Sequence, residues 1–241
     1  MLDKINPLHI LFLDIETVPQ YAHHSDLPEK MKEFWDKKSA RFRQEEEGPE
    51  DVYQRAGIYA EFGKIVCISV GVMKSPEENS GYGFRLKSFY GAEEHLLLSS
   101  FAEMLQKFSA KNDALLCAHN GKEFDFPYIA RRMLLNGLPV PDILNVPGKK
   151  PWEVAFLDTM ELWKFGDYKN FTSLDLLTYI FDIPTPKDDI DGSMVGKVFW
   201  EENNLDRIVH YCEKDVLAVA QLLLRFRGEQ LIREENIERA T

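Results

Sequence analysis

The chain has 241 residues, 44% hydrophobic and 29% charged, with a formal net charge of −11. That length fits one large domain or two small ones, and the apolar share is enough to bury a sizeable core. The acidic balance argues against a protein that coats nucleic acid electrostatically, but not against an enzyme whose acidic site is neutralised by metal ions.

In chain order, residues 10–15 (ILFLDI) and 64–72 (KIVCISVGV) are near-continuous apolar runs rich in β-branched side chains. Such runs predict interior strands covered on both faces. Residues 84–90 (FRLKSFY) mix charged and apolar positions, as an edge strand does, and the turn-rich 75–83 predicts a hairpin between the second and third strands. Residues 92–108 place Leu97, Phe101, Met104, Leu105 and Phe108 at helical spacing, and 114–118 (ALLCA) is a fourth strand. A helix over 126–136 carries Phe126, Ile129, Ala130 and Met133 on one face and stops at Gly137 and Pro139. A fifth strand is expected near 154–157. A helix over 172–181 is opened by Thr172 with Asp175 three residues on, and a long helix runs over 205–226. Residues 19–63 are charged and read as a helical insertion within a single domain over 1–241. Strands first, then helices alternating with strands, predict an α/β fold with a mixed sheet.

No apolar run approaches the roughly 20 residues of a membrane span, and the N-terminal MLDKINPLHI lacks the layout of a signal peptide. Cys67, Cys117 and Cys212 fall in apolar segments without CxxC spacing, as reduced packing residues of a cytoplasmic protein would. His23 and His24 stand alone in a charged stretch, without partners at zinc-ligand spacing.

Three segments hold the carboxylates of interest. Asp14 and Glu16 are two apart at the end of the first strand, so both leave one face of it. By themselves they serve equally to terminate a strand. Asp125 follows a glycine-containing turn and precedes Pro127, so it reads as a helix cap as readily as a ligand, and Asn120 as a turn residue. In the last helix, Ile208, Val209, Cys212, Val216, Val219, Ala220 and Leu223 form an apolar face, and Tyr211 and Asp215 stack four apart beside it, with Glu213 and Lys214 directed elsewhere. Taken together the four carboxylates would repel strongly without cations, and hard oxygen donors in that number suit Mg²⁺ or Mn²⁺. Two such ions about 3.5–4 Å apart stabilise the attacking and leaving oxygens of an in-line phosphoryl displacement.

FLDIET (12–17), HNGKEFDFPYI (119–129) and YCEKD (211–215) resemble the three motifs of the DnaQ-like, or DEDD, 3′–5′ exonucleases, with the Tyr-x-x-x-Asp spacing of the DEDDy branch. The details are most similar to the proofreading domain of family B DNA polymerases, over residues 9–226, with no room for a polymerase domain. The resemblance implies a ribonuclease H-like fold, with a five-stranded sheet of order 3-2-1-4-5 and its second strand antiparallel to its neighbours. It implies that Asp14, Glu16, Asp125 and Asp215 hold two divalent cations, Mg²⁺ or Mn²⁺. Asp14 would bridge both, Glu16 and Asp215 would ligate the ion carrying the nucleophilic water, and Asp125 would reach the second. Tyr211 would orient that water. The implied substrate is the 3′ end of single-stranded or frayed DNA, with RNA, as in ribonuclease D-like proteins, as the alternative polymer. A non-catalytic scaffold on the same fold is the alternative of another class.

Thr17, Asn120 and Phe124 are the candidates for substrate contact. Phe126, Tyr128, Trp163, Phe165, Tyr168 and Phe171 could stack a base, though half or more of these aromatics are expected in the core. The four positive charges of two divalent ions leave most of the −11 in place, so a basic rim is expected from among Lys122, Arg131, Lys149, Lys150, Lys164, Lys169 and Lys187. The long charged segment 19–63 could shape the substrate channel, bind a partner, or do neither.

Overall fold

The computed structural model describes residues 2–77, 81–111, 113–167, 171–184 and 190–240. Tyr168, Lys169 and Lys187 lie outside the described residues. Along the chain run β1 (Ile10–Pro19), α1 (Glu29–Ser39), β2 (Gly63–Glu77), β3 (Gly81–Tyr90), α2 (Glu94–Ser109), β4 (Leu115–Ala118), α3 (Asp125–Leu135), β5 (Phe156–Asp158), α4 (Thr159–Lys164), α5 (Leu174–Ile180), α6 (Val195–Trp200), α7 (Leu205–Phe226) and β6 (Ile237–Arg239). No described helix is long and apolar enough to cross a membrane.

The strands form one mixed sheet of order β5-β4-β1-β2-β3-β6. β2 is antiparallel to β1 and to β3, whereas β4 and β5 run parallel to β1. The ribonuclease H-like order 3-2-1-4-5 is present, with one correction: the sheet has six strands. The short β6 adds in parallel to β3, pairing Phe84 with Ile237 and Leu86 with Arg239. β3 is therefore covered over part of its length instead of forming a bare edge.

β1 explains the layering. Its residues Leu11, Leu13 and Ile15 enter a core shared with Leu97, Leu98, Phe101 and Leu105 of α2 and Phe126, Ile129 and Met133 of α3. Ile10 and Phe12 point to the opposite face, against Val216, Val219, Ala220 and Leu223 of α7. Because strand side chains alternate, the same rule carries Asp14 and Glu16 onto the α7 side. The pairing register slips between Glu16 and Thr17, where β2 carries an extra residue, an irregularity common next to active sites.

The start of the helix expected over 172–181 moves. α5 begins at Leu174, not at 172, and its cap is Ser173, whose hydroxyl accepts from the Leu176 amide at 3.3 Å. Thr172 faces the other way, its carbonyl meeting Nε2 of His119 at 2.9 Å. In 19–63, α1 is followed by a 3-10 turn over Tyr53–Ile58. Trp35 lies fully buried among Tyr53, Phe62, Leu27 and Val52, and its indole N–H donates to the Pro49 carbonyl at 2.7 Å.

Candidate active site

The C-terminal half of β1 and the N-terminal half of α7 enclose a cavity of about 460 Å³. Asp14, Glu16 and Thr17 line it from β1, and Tyr211 and Asp215 from α7. The 3-10 turn over Tyr53–Ile58 adds Gln54, Arg55, Gly57 and Ile58. Gly192, Ser193 and Gly196 close it beside α6, and Phe124 enters from the loop before α3.

Asp125 is buried beneath this wall. Its Oδ1 accepts from the Ile15 amide at 3.1 Å, which fixes the carboxylate against the strand that carries Asp14 and Glu16. Asp14 is partly buried, whereas Glu16 and Asp125 are 6% and 3% exposed. Burial raises the pKa of all three, and mutual repulsion raises it further. Asp14 is pushed well above the usual carboxyl range by burial, then by Asp125, Glu16 and Asp215. Glu16 is pushed up by burial and then by Asp215. Asp125 rises to about 7, mainly by burial, with Asp158 and Asp215 adding to it against hydrogen bonds that pull the other way. Burial and then Asp215, Glu16 and Asp14 drive the Tyr211 phenol upward, so it keeps its proton at neutral pH.

Such a cluster of like charges needs a positive partner. Its donors are hard carboxylate oxygens lining the cleft or lying just beneath its wall, and that donor set fits Mg²⁺ or Mn²⁺. One further donor stands close by. The thiol of Cys212 lies 3.4 Å from both the backbone carbonyl and Oδ2 of Asp14, to either of which it can donate, and ligand atoms of Asp14, Glu16 and Cys212 lie within 4.8 Å of one another. Cys212 is fully buried, and burial pushes its thiol upward, so it acts as an uncharged donor that holds Asp14. All three cysteines are free and buried.

The loop 119–125 is shaped by a carboxylate that the sequence motifs do not single out. Asp158, 2% exposed, accepts from the amides of Asn120 (2.9 Å), Lys122 (3.1 Å) and Met160 (3.0 Å). It caps α4 and holds the turn that precedes Asp125 in one step. Asn120 sits in this turn at φ 62°, a left-handed conformation that asparagine tolerates, and is not among the side chains lining the cleft. Gly121 belongs there because a Cβ would collide with that of Ala118. His119 bridges Thr159 Oγ1 and the Thr172 carbonyl, each at 2.9 Å, and burial lowers its pKa.

Of the aromatics, Phe124 lines the cleft, Phe126 and Tyr128 are core, and Trp163 packs on Phe181 and Phe226. Phe165 and Phe171 are exposed. None of the expected rim cations that is described lines the cleft, and Lys122 pairs with Glu161 at 2.5 Å. Glu213 does point away from the cleft, into a pair with Arg239 and a hydrogen bond from Ser88.

A family model described as a predicted 3′–5′ exonuclease related to the exonuclease domain of PolB matches residues 58–238. The chain belongs to this family. The matched residues include Asp125, Tyr211 and Asp215, and begin after the strand that carries Asp14 and Glu16.

Proposed function

We propose that the chain hydrolyses phosphodiester bonds one nucleotide at a time from the 3′ end of single-stranded or frayed DNA, with Asp14, Glu16, Asp125 and Asp215 holding two divalent cations, Mg²⁺ or Mn²⁺. The observation that carries this reading is the gathering of four carboxylates and a protonated phenol around one cleft. Burial and repulsion make that arrangement costly without cations. When bound, the ions supply an acidified water and offset the charge that develops on the phosphoryl oxygens.

The remaining work falls to the chain's own side chains. The pairing of β1 with β2 holds Asp14 and Glu16 in line, and the Cys212 thiol packs against Asp14 within hydrogen-bond reach of its Oδ2. Tyr211 keeps its proton and donates its O–H to the attacking water, orienting it without removing its proton. Phe124 and Ile58 provide apolar wall for a terminal base. A cavity of about 460 Å³ lies in the size range of a single small ligand, which favours an unpaired end over a duplex.

The test is release of mononucleotide from 3′-labelled oligonucleotides, with matched DNA and RNA, in Mg²⁺, Mn²⁺ or chelator. The reading expects release from DNA, none in chelator and none from Asp14→Ala. Undiminished release by Asp14→Ala would refute it, and faster release from RNA would move the substrate to that polymer.

A further inference from the structure

The cleft holds a cation that no motif supplies. Arg55, in the 3-10 turn Tyr53–Ile58, is the only lysine or arginine among the described residues that line it. The turn is firmly seated. Tyr53, Ala56 and Gly57 are buried, and the Tyr128 hydroxyl donates to the Gly57 carbonyl at 2.7 Å. A Cβ at Gly57 would stand 3.1 Å from the Val18 carbonyl carbon, so the turn approaches β1 as closely as glycine allows. The Arg55 guanidinium lies 4.2 Å from the Phe42 ring centroid, and among the described residues it forms no ion pair.

Its surroundings decide what it is for. A guanidinium that served to neutralise the carboxylates would be expected to pair with one of them, and this one instead rests on an aromatic face with its donors available to a ligand. A planar fork of N–H donors matches the paired oxygens of a phosphate. We propose that Arg55 is a phosphate-binding residue for the nucleic-acid strand, so that the segment between β1 and β2 supplies a substrate subsite of its own. This inference rests on the exonuclease reading for the identity of the strand. Arg55 precedes the residues matched by the family model, which begin at 58, so that match does not assign it a role.

The test separates the two. Binding of a fluorescein-labelled oligodeoxythymidylate is followed by anisotropy across a salt series, in an Asp215→Asn background that prevents cleavage. Loss of one phosphate contact lowers the slope of log K against log salt by about 0.7 for a single strand. Arg55→Ala and Arg55→Gln are expected to show that loss with roughly tenfold weaker binding, and Arg55→Lys to restore the slope. The glutamine variant retains part of the side chain beside Phe42 and guards against disturbance of the turn. In the otherwise native enzyme KM rises about tenfold and kcat stays within about threefold. An unchanged slope in both neutral variants, or a fall in kcat alone, overturns the inference. A native chain that never cleaves yet loses the slope on Arg55→Gln sinks the exonuclease reading and leaves the phosphate contact standing.

Discussion

The Ile15 amide donates to Oδ1 of Asp125 at 3.1 Å, joining two carboxylate-bearing segments 110 residues apart. This bond fixes a carboxyl whose folded pKa is about 7, against roughly 3.9 in an unfolded chain. A raised carboxyl favours the protonated fold. Its contribution to metal-free stability is therefore complete below about pH 4 and is lost as pH climbs through about 7. Melting in chelator from pH 5 to pH 8 should show a fall for the native chain that Asp125→Asn, which keeps an acceptor for Ile15, makes shallower, the remainder coming from Asp14 and Glu16. The gain for that variant at pH 8 is about 2–4 °C for each kcal/mol of relieved strain. Superimposable pH profiles would contradict this account of Asp125.

Asp14 and Asp215 line the same cleft from β1 and α7. Conversion of either to asparagine removes a charge from a crowded cluster while keeping its shape. Nucleotide release should fall by at least about a hundredfold, and the melting temperature in chelator should hold or rise. A variant that loses activity only because it unfolds would show the opposite thermal shift, which differential scanning fluorimetry detects.

Cys212 acts on Asp14 from behind, at 3.4 Å. Cys212→Ala leaves a small void and removes the donor, at a cost of about 1–2 kcal/mol in stability and a several-fold loss in rate. Cys212→Ser keeps a donor and should retain more of the rate than alanine at similar stability. Equal rates for the two variants in single-turnover measurements would show that the thiol only fills space.

Glu94 and Arg132 form a buried pair that ties 19–63 to the body. Arg132 Nε donates to Glu94 Oε1 at 2.8 Å, Arg132 also reaches the Ala60 carbonyl at 2.8 Å, and the Ile65 amide donates to Glu94 at 2.7 Å. Glu94→Ala leaves a guanidinium that is 5% exposed without its counter-charge and should cost about 3–5 kcal/mol, read from the urea midpoint. A loss below about 1 kcal/mol would mean that the pair contributes nothing net.

Much of this arrangement is legible locally. Alternation on β1 places Asp14 and Glu16 on one face, and i,i+4 spacing places Tyr211 beside Asp215. The bounds of α7 fall at 205 and 226, where the apolar stripe begins and ends. What escapes the sequence is of another kind. Asp158 carries a cap pattern with Glu161 three residues on, but the helix it opens is only six residues long, too short to show a period. β6 spans three residues and is defined by its partner, not by its own pattern. Thr172 and Ser173 are near-equal caps by residue type, and the contact of Thr172 with His119 settles which one opens α5. Cys212 and Arg55 take their roles from neighbours far along the chain, the thiol from Asp14 across 198 positions, and no local rule encodes that.

Calorimetric titration of the metal-free chain with Mn²⁺ tests the carboxylate cluster most directly. Binding of two ions per chain is expected, with loss of heat in Asp14→Asn. Silence up to millimolar Mn²⁺, or heat that Asp14→Asn leaves unchanged, would contradict a metal-dependent nuclease at this cleft.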